Sequence, residues 1–129
     1  MKILVIDDDD NLGKFLRMRL ISLGYDVEVM PDAMLGIQEA HRFKPDLILL
    51  DLMLPAGGGL SVLKQLKAST HTVCIPVLIV SGMWRDVYEG IGRELQEIGV
   101  EGYLQKPFRE GELLSNIQRI LELKRGAPV

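Results

Sequence analysis

Apolar runs of strand length alternate five times along this chain with segments of helical periodicity, and the alternation is never broken. The runs are Lys2 to Ile6, Tyr25 to Val29, Asp46 to Asp51, Ile75 to Val80 and Gly102 to Gln105. Between and after them, apolar residues return at i, i+3 and i+4. Leu12, Phe15, Leu16, Leu20 and Leu23 form one such stripe, and Leu113, Leu114, Ile117, Ile120 and Leu121 another. Ala33, Ile37 and Ala40 mark a second helix, and Leu60, Val62, Leu63 and Leu66 a third. The fourth, from Trp84 to Ile98, is weakened by Gly90 and Gly92, each costing roughly 1 kcal/mol against alanine. Such alternation predicts a parallel sheet covered by helices on both faces, because each parallel pair needs a crossover.

The second run differs from the others. Asp26 and Glu28 interrupt Tyr25, Val27 and Val29, the period-2 pattern of a strand with one wet face, which belongs at an edge. That favours an α/β fold of one doubly wound (βα)5 domain, a flavodoxin-like five-stranded parallel sheet of order 2-1-3-4-5. A length of 129 residues fits a single core. The net charge of −3 gives no basic footprint, so direct nucleic-acid binding by this segment is not expected. One cysteine, Cys74, excludes an internal disulfide and agrees with a cytoplasmic setting. No apolar run is long enough for a membrane span and no leader pattern opens the chain, so no membrane partner is expected.

The central run, Leu47 to Leu50, is wholly apolar and meets a carboxylate at Asp51. A charge there is tolerable only at the strand's end, where water, a metal or a cation reaches it. Parallel strands place all their C-termini on one edge. The residues just past strands one, three, four and five are Asp7-Asp8, Asp51, Ser81 and Lys106. Strands one and three are neighbours about 4.8 Å apart, and their ends flank the point where strand order reverses. Singly, each group has an ordinary explanation: an acidic run caps a helix, Ser81-Gly82 makes a turn, and Lys106 lies at the surface. Together they make a site. Three close carboxylates repel one another, and a hard divalent cation, Mg²⁺, resolves the conflict. Asp51 can then attack a phosphoryl group, with Lys106 and the metal neutralising charge and the Ser81 hydroxyl binding an oxygen.

These residues resemble the receiver domain of two-component response regulators, the CheY-like family. The resemblance runs through Ile3-Leu4-Val5-Ile6-Asp7-Asp8-Asp9, Pro45 to Pro55, Ile79-Val80-Ser81-Gly82 and Gly102-Tyr103-Leu104-Gln105-Lys106-Pro107-Phe108. It implies a receiver domain over residues 1–125, with 126–129 a C-terminal tail or the start of a linker. Asp51 would accept a phosphoryl group from the phosphohistidine of a sensor histidine kinase or a phosphotransfer protein. Asp8 would bind Mg²⁺ directly, Asp7 through water, and Met53 through its backbone carbonyl. Ser81 and Tyr103 would form the switch, Lys106 would be the family's lysine, and the Lys106-Pro107 bond would be cis. The fourth helix, fifth strand and fifth helix would then present an altered surface to a downstream protein or a C-terminal output domain, or to a homodimer partner. Such a module catalyses only its own phosphorylation and dephosphorylation.

Three features depart from the family pattern. Gly58 stands where many members carry an acid, and the stretch from Ser81 to Gly99 is about three residues longer than in compact members. Met53, two residues past Asp51, cannot orient an attacking water, which predicts slow self-dephosphorylation. Three other functions fit less well. A receiver-like interaction module that is never phosphorylated would have lost one of the key groups. A Mg²⁺-dependent phosphohydrolase would want an acid at the Met53 position. A flavin carrier would want Ser, Thr and Gly after strand one, where the Asp run repels phosphate. Cys74 reads as a small packing residue near a strand start, His41 and His71 as surface residues, and the Leu and Met stripes as core.

Overall fold

The computed structural model describes residues 1–55, 58–82 and 85–125, in 85–91 and 125 by backbone alone. Ten elements alternate as expected: β1 (Lys2–Ile6), α1 (Asp10–Ser22), β2 (Asp26–Met30), α2 (Ala33–Phe43), β3 (Leu47–Leu50), α3 (Gly58–Ala68), β4 (Val77–Ser81), α4 (Arg85–Ile98), β5 (Gly102–Gln105) and α5 (Glu110–Arg125). All pairings are parallel and the order is β2-β1-β3-β4-β5. The strand with the wet face is at the edge. The tail reading of 126–129 and the Trp84 start of the fourth helix fall outside the described residues.

Strand parity divides the core in two. Leu4, Ile6, Ile48, Leu50, Val77 and Ile79 face α2, α3 and α4, which contribute Ala40, Val62, Leu63, Leu66 and Leu95. Ile3, Val5, Leu47, Leu49, Leu78 and Val80 face α1 and α5 through Leu16, Leu20, Leu113 and Ile117. Leu47 to Leu50 are at most 1% exposed, so each contributes about 1.5–3 kcal/mol by burial. Truncating one to alanine costs about 2–5 kcal/mol.

The helices begin where side chains can satisfy their first N–H groups. Asp9 caps α1 by accepting the Leu12 N–H (3.1 Å), and Asp32 caps α2 by accepting the Leu35 N–H (2.8 Å). Gly24, at φ +95°, ends the first crossover in a conformation that favours glycine.

Several local expectations shift. β4 starts at Val77, because Pro76 has no N–H to give the ladder, and it includes Ser81. Cys74 lies exposed in the turn before it and does not pack. The stripes are core in part: Leu16 and Leu20 are buried, but Phe15 and Leu23 at the edges of the first stripe are exposed, and Met18 and Met34 are 69% and 70% exposed. These methionines sit on the outer faces of α1 and α2, where hydropathy alone does not decide burial. Gly58 and Gly59 open α3. Gly92 in α4 faces open space, so close packing does not explain it.

Candidate functional site

The ladder carries the backbone one residue past each of three strands and places their terminal groups side by side. The Asp7 N–H donates to Met30 O (3.1 Å), the Asp51 N–H to Ile6 O (3.0 Å), and the Lys106 N–H to Ser81 O (2.9 Å). β1 lies between β2 and β3, and β4 between β3 and β5, so the ends of β1, β3, β4 and β5 form one row. Asp7, Asp51 and Ser81 are buried at 4%, 4% and 0% exposure, whereas Asp8 is exposed.

Asp51 is the hub. Its Oδ1 accepts the Ser81 hydroxyl (2.9 Å) and the Met53 backbone N–H (2.8 Å), and its Oδ2 accepts from Lys106 Nζ (3.2 Å). Lys106 Nζ also donates to Asp7 Oδ2 at 2.7 Å, while Asp7 Oδ1 accepts the Asp9 N–H at 2.9 Å. One oxygen from each of Asp7, Asp8 and Asp51 lies within 4.8 Å of the others. Three carboxylates against one ammonium leave the cluster two charges short of neutral. Burial drives the Asp7 carboxyl above its ordinary range and outweighs the hydrogen bond and charge of Lys106. Burial opposes the charged form of Lys106 too. There the hydrogen bond to Asp7 and the charges of both acids together prevail, and hold the ammonium above the usual lysine value. Asp7 rises chiefly through burial, with the Asp51 carboxylate adding the smallest contribution, whereas Lys106 rises because it faces two acids.

A hard cation suits this donor set. The donors are all oxygens, the charge deficit is two, and the exposed Asp8 leaves a side open to water, as Mg²⁺ prefers. The Met53 backbone N–H donates to Asp51 Oδ1, and its side chain is 56% exposed. The Lys106–Pro107 peptide is cis. Tyr103 is half-buried against the core layer of α2, α3 and α4. It pairs in register with Ile79, two residues before Ser81, so Tyr103 and Ser81 share one face of the sheet.

The sequence reading missed Gly59. A Cβ there would collide with Leu52 Cα and the Asp51 carbonyl oxygen, so α3 abuts the backbone of the turn after Asp51 without a side chain between them. The Gly57-Gly58-Gly59 run signalled a turn, and nothing in it distinguished the one position where close approach is required. The role of Asp9 in fixing Asp7 was also hidden within the four-aspartate run.

A family model described as "Response regulator receiver domain" matches residues 3–118. A "DNA-binding dual master transcriptional regulator RpaA" from Synechocystis is 36% identical over 122 residues, 93% of this chain and 48% of that protein. The chain spans about half the length of the curated relatives it matches. Among solved structures, the BeF3-activated N-terminal receiver domain of Klebsiella pneumoniae RstA superposes with a TM-score of 0.81 at 26% identity, covering 94% of this chain and 98% of that one. The receiver domain of the Pseudomonas aeruginosa sensor histidine kinase PA1611 does so at 0.80 and 27%, covering 94% and 97%, and holds a magnesium ion in its active-site cleft. Among the described residues no helix is long and apolar enough to cross a membrane.

Proposed function

The chain belongs to the response regulator receiver domain family, a family of phosphoacceptor signalling modules, and from that premise we propose that Asp51 is its phosphoacceptor. One observation carries the assignment. Of the three clustered acids, Asp51 alone accepts a hydroxyl, a backbone N–H and an ammonium together, on a strand end where strand order reverses.

The donor is a phosphohistidine of a sensor histidine kinase or phosphotransfer protein. An Asp51 carboxylate oxygen attacks phosphorus, the new O–P bond forms as the P–N bond breaks, and the imidazole leaves with the electron pair. Asp8, Asp51 and the Met53 carbonyl would hold Mg²⁺, with Asp7 contributing through water, and the ion would supply charge neutralisation at the phosphoryl oxygens. Lys106 bridges Asp7 and Asp51 beforehand and is placed to follow the incoming charge. The Ser81 hydroxyl, now on Asp51 Oδ1, transfers its hydrogen bond to a phosphoryl oxygen. That movement opens room on the face Ser81 shares with Tyr103. The Tyr103 ring turns inward, and the surface of α4, β5 and α5 changes.

A groove of about 400 Å³, lined by Leu12, Phe15, Pro107 and Phe108 and reaching Asp9 and Lys106, is the place for the donor to dock. Residues 1–125 form the receiver unit. The signal passes to a downstream protein or C-terminal output domain, or to a second copy, in the cytoplasm.

Intact mass after incubation with Mg²⁺ and acetyl phosphate tests the proposal. The expected result is one added phosphoryl group that disappears when EDTA replaces Mg²⁺. An unmodified mass under conditions that preserve acyl phosphates, with acetyl phosphate and with a phosphorylated kinase alike, sinks it.

A further inference from the structure

From Asp51 to Leu54 the chain turns a single side chain to solvent. Asp51, Leu52 and Leu54 are buried, at 4%, 6% and 4% exposure, and Met53 stands 56% exposed among them. The backbone beneath it is braced from two sides. The Met53 N–H donates to Asp51 Oδ1 at 2.8 Å, and Gly59 brings α3 directly against the Leu52 backbone. The Met53 side chain is thus accessible, while the carboxylate beside it is covered and the turn between them is fixed. Methionine is the apolar side chain whose polarity can be reversed chemically. A two-electron oxidant converts the thioether to a sulfoxide, whose oxygen is a hydrogen-bond acceptor, and reductases restore it.

We propose that Met53 is a reversible oxidation site, its reagent a peroxide, and that the sulfoxide shortens the life of the phosphorylated form. The proposal rests on Asp51 as the phosphoacceptor. A sulfur lone pair attacks one peroxide oxygen, and the S–O bond forms as the O–O bond breaks. The departing hydroxide takes the proton left on the transferred oxygen and becomes water, so sulfur loses two electrons and the peroxide gains them. The thioether offers an attacking water no strong partner. The sulfoxide oxygen holds a water at the rim of the site by a hydrogen bond, although it is too weak a base to take the proton. Met18 and Met34, at 69% and 70% exposure, react with the same reagent. They lie on α1 and α2, outside the turn that carries Asp51, so their oxidation leaves the lifetime unaltered.

The test treats the full chain and Met53→Leu with hydrogen peroxide, phosphorylates both with acetyl phosphate and Mg²⁺, and follows the adduct by intact mass. Peptide mapping locates the added oxygen, and each protein is compared with its own untreated form. Met53→Leu retains Met18, Met34 and Cys74, so it reads the effect of oxidation elsewhere. The expected result is one oxygen on Met53 and a half-life shortened by about threefold in the parent, less than a positioned general base gives. Peroxide leaves the half-life of Met53→Leu as it was, and a methionine sulfoxide reductase restores that of the parent. An untreated chain that takes up no phosphoryl group overturns the Asp51 assignment and this proposal with it. A normal adduct with Met53 unoxidised while Met18 and Met34 are oxidised, an unchanged or longer half-life, or an equal shortening in Met53→Leu overturns this proposal alone.

Discussion

Two aspartates bracket the same four-residue strand and have opposite fates. Asp46 enters β3 and Asp51 leaves it, and both continue the backbone ladder, through Asp46 N–H to Lys2 O (2.8 Å) and Asp51 N–H to Ile6 O (3.0 Å). Asp46 is half-buried at the strand's start. It accepts the Lys2 backbone N–H at 2.8 Å and the Lys124 ammonium at 3.1 Å. Burial pushes its carboxyl upward, but those two donors outweigh it and hold the group below the ordinary aspartate value. It is a matched pair with no neighbouring acid among the clustered set. Asp51 has one donor more, three against two, yet two further carboxylates crowd it and a single ammonium is shared. An aspartate becomes a chemical group here through uncompensated charge at the open end of the sheet, and a structural one through local neutrality at the other end.

The sharpest way to break this comparison is to neutralise each acid in turn. Asp51→Asn is expected to abolish the acetyl-phosphate adduct, and Asp46→Asn to leave it unchanged by intact mass. The turn after Asp51 has no counterpart near Asp46, and on the proposed function its side chains are expected to set the lifetime of the phosphorylated form. Met53→Asn and Met53→Glu, which give water a polar partner, are expected to shorten the half-life of the phosphorylated form by about tenfold, less than the ~10²–10⁴-fold of a fully positioned general base. Equal or longer half-lives would remove Met53 from the account.

Gly59→Ala forces a Cβ against the Asp51–Leu52 backbone. It is expected to destabilise the protein by about 1–3 kcal/mol in urea unfolding and to slow phosphorylation, since the turn must shift. A neutral outcome would mean that α3 can retreat without disturbing Asp51.

The two edges should also titrate in opposite senses. Asp7 has a raised carboxyl in the folded chain, so the folded state holds more protons than the unfolded one from about pH 4 up to that raised value. Its contribution to stability therefore falls as pH rises through that window. Stability of Asp7→Asn relative to the parent should grow from about pH 4 toward neutrality in metal-free urea titrations, and Mg²⁺ should reduce the gain. Asp46 is depressed, so its contribution is present above about pH 4 and lost as pH falls through its folded value. Because Asp46 and Lys124 are partly exposed, Asp46→Asn should cost only about 0.5–1 kcal/mol at pH 7, less in high salt. Parallel pH slopes for the two variants would erase the distinction between the edges.

Much of the fold was legible because each property it rests on is local. Apolar runs without interruption mark strands buried on both faces, and the acids within Tyr25 to Val29 mark the edge. The site was legible by topology, since parallel strands carry their terminal residues to one edge whatever the loops do. The methionines misled because an outward position on a helix tolerates an apolar side chain. Cys74 misled because the proline after it delays the strand.

The sequence by itself determined the alternation, the edge position of the second strand and the four strand ends where the chemistry gathers, because periodicity records which faces meet water. Only the tertiary structure decided how charge is shared among those ends. Lys124, at the far end of α5, reaches Asp46 across 78 residues, and Lys106 reaches Asp7 across 99. Only the fold pressed Gly59 against the Asp51 turn and brought His41 to His71. Such contacts depend on register and crossover geometry, which place residues far apart in the chain within ångströms of each other and leave no trace in any short window of sequence.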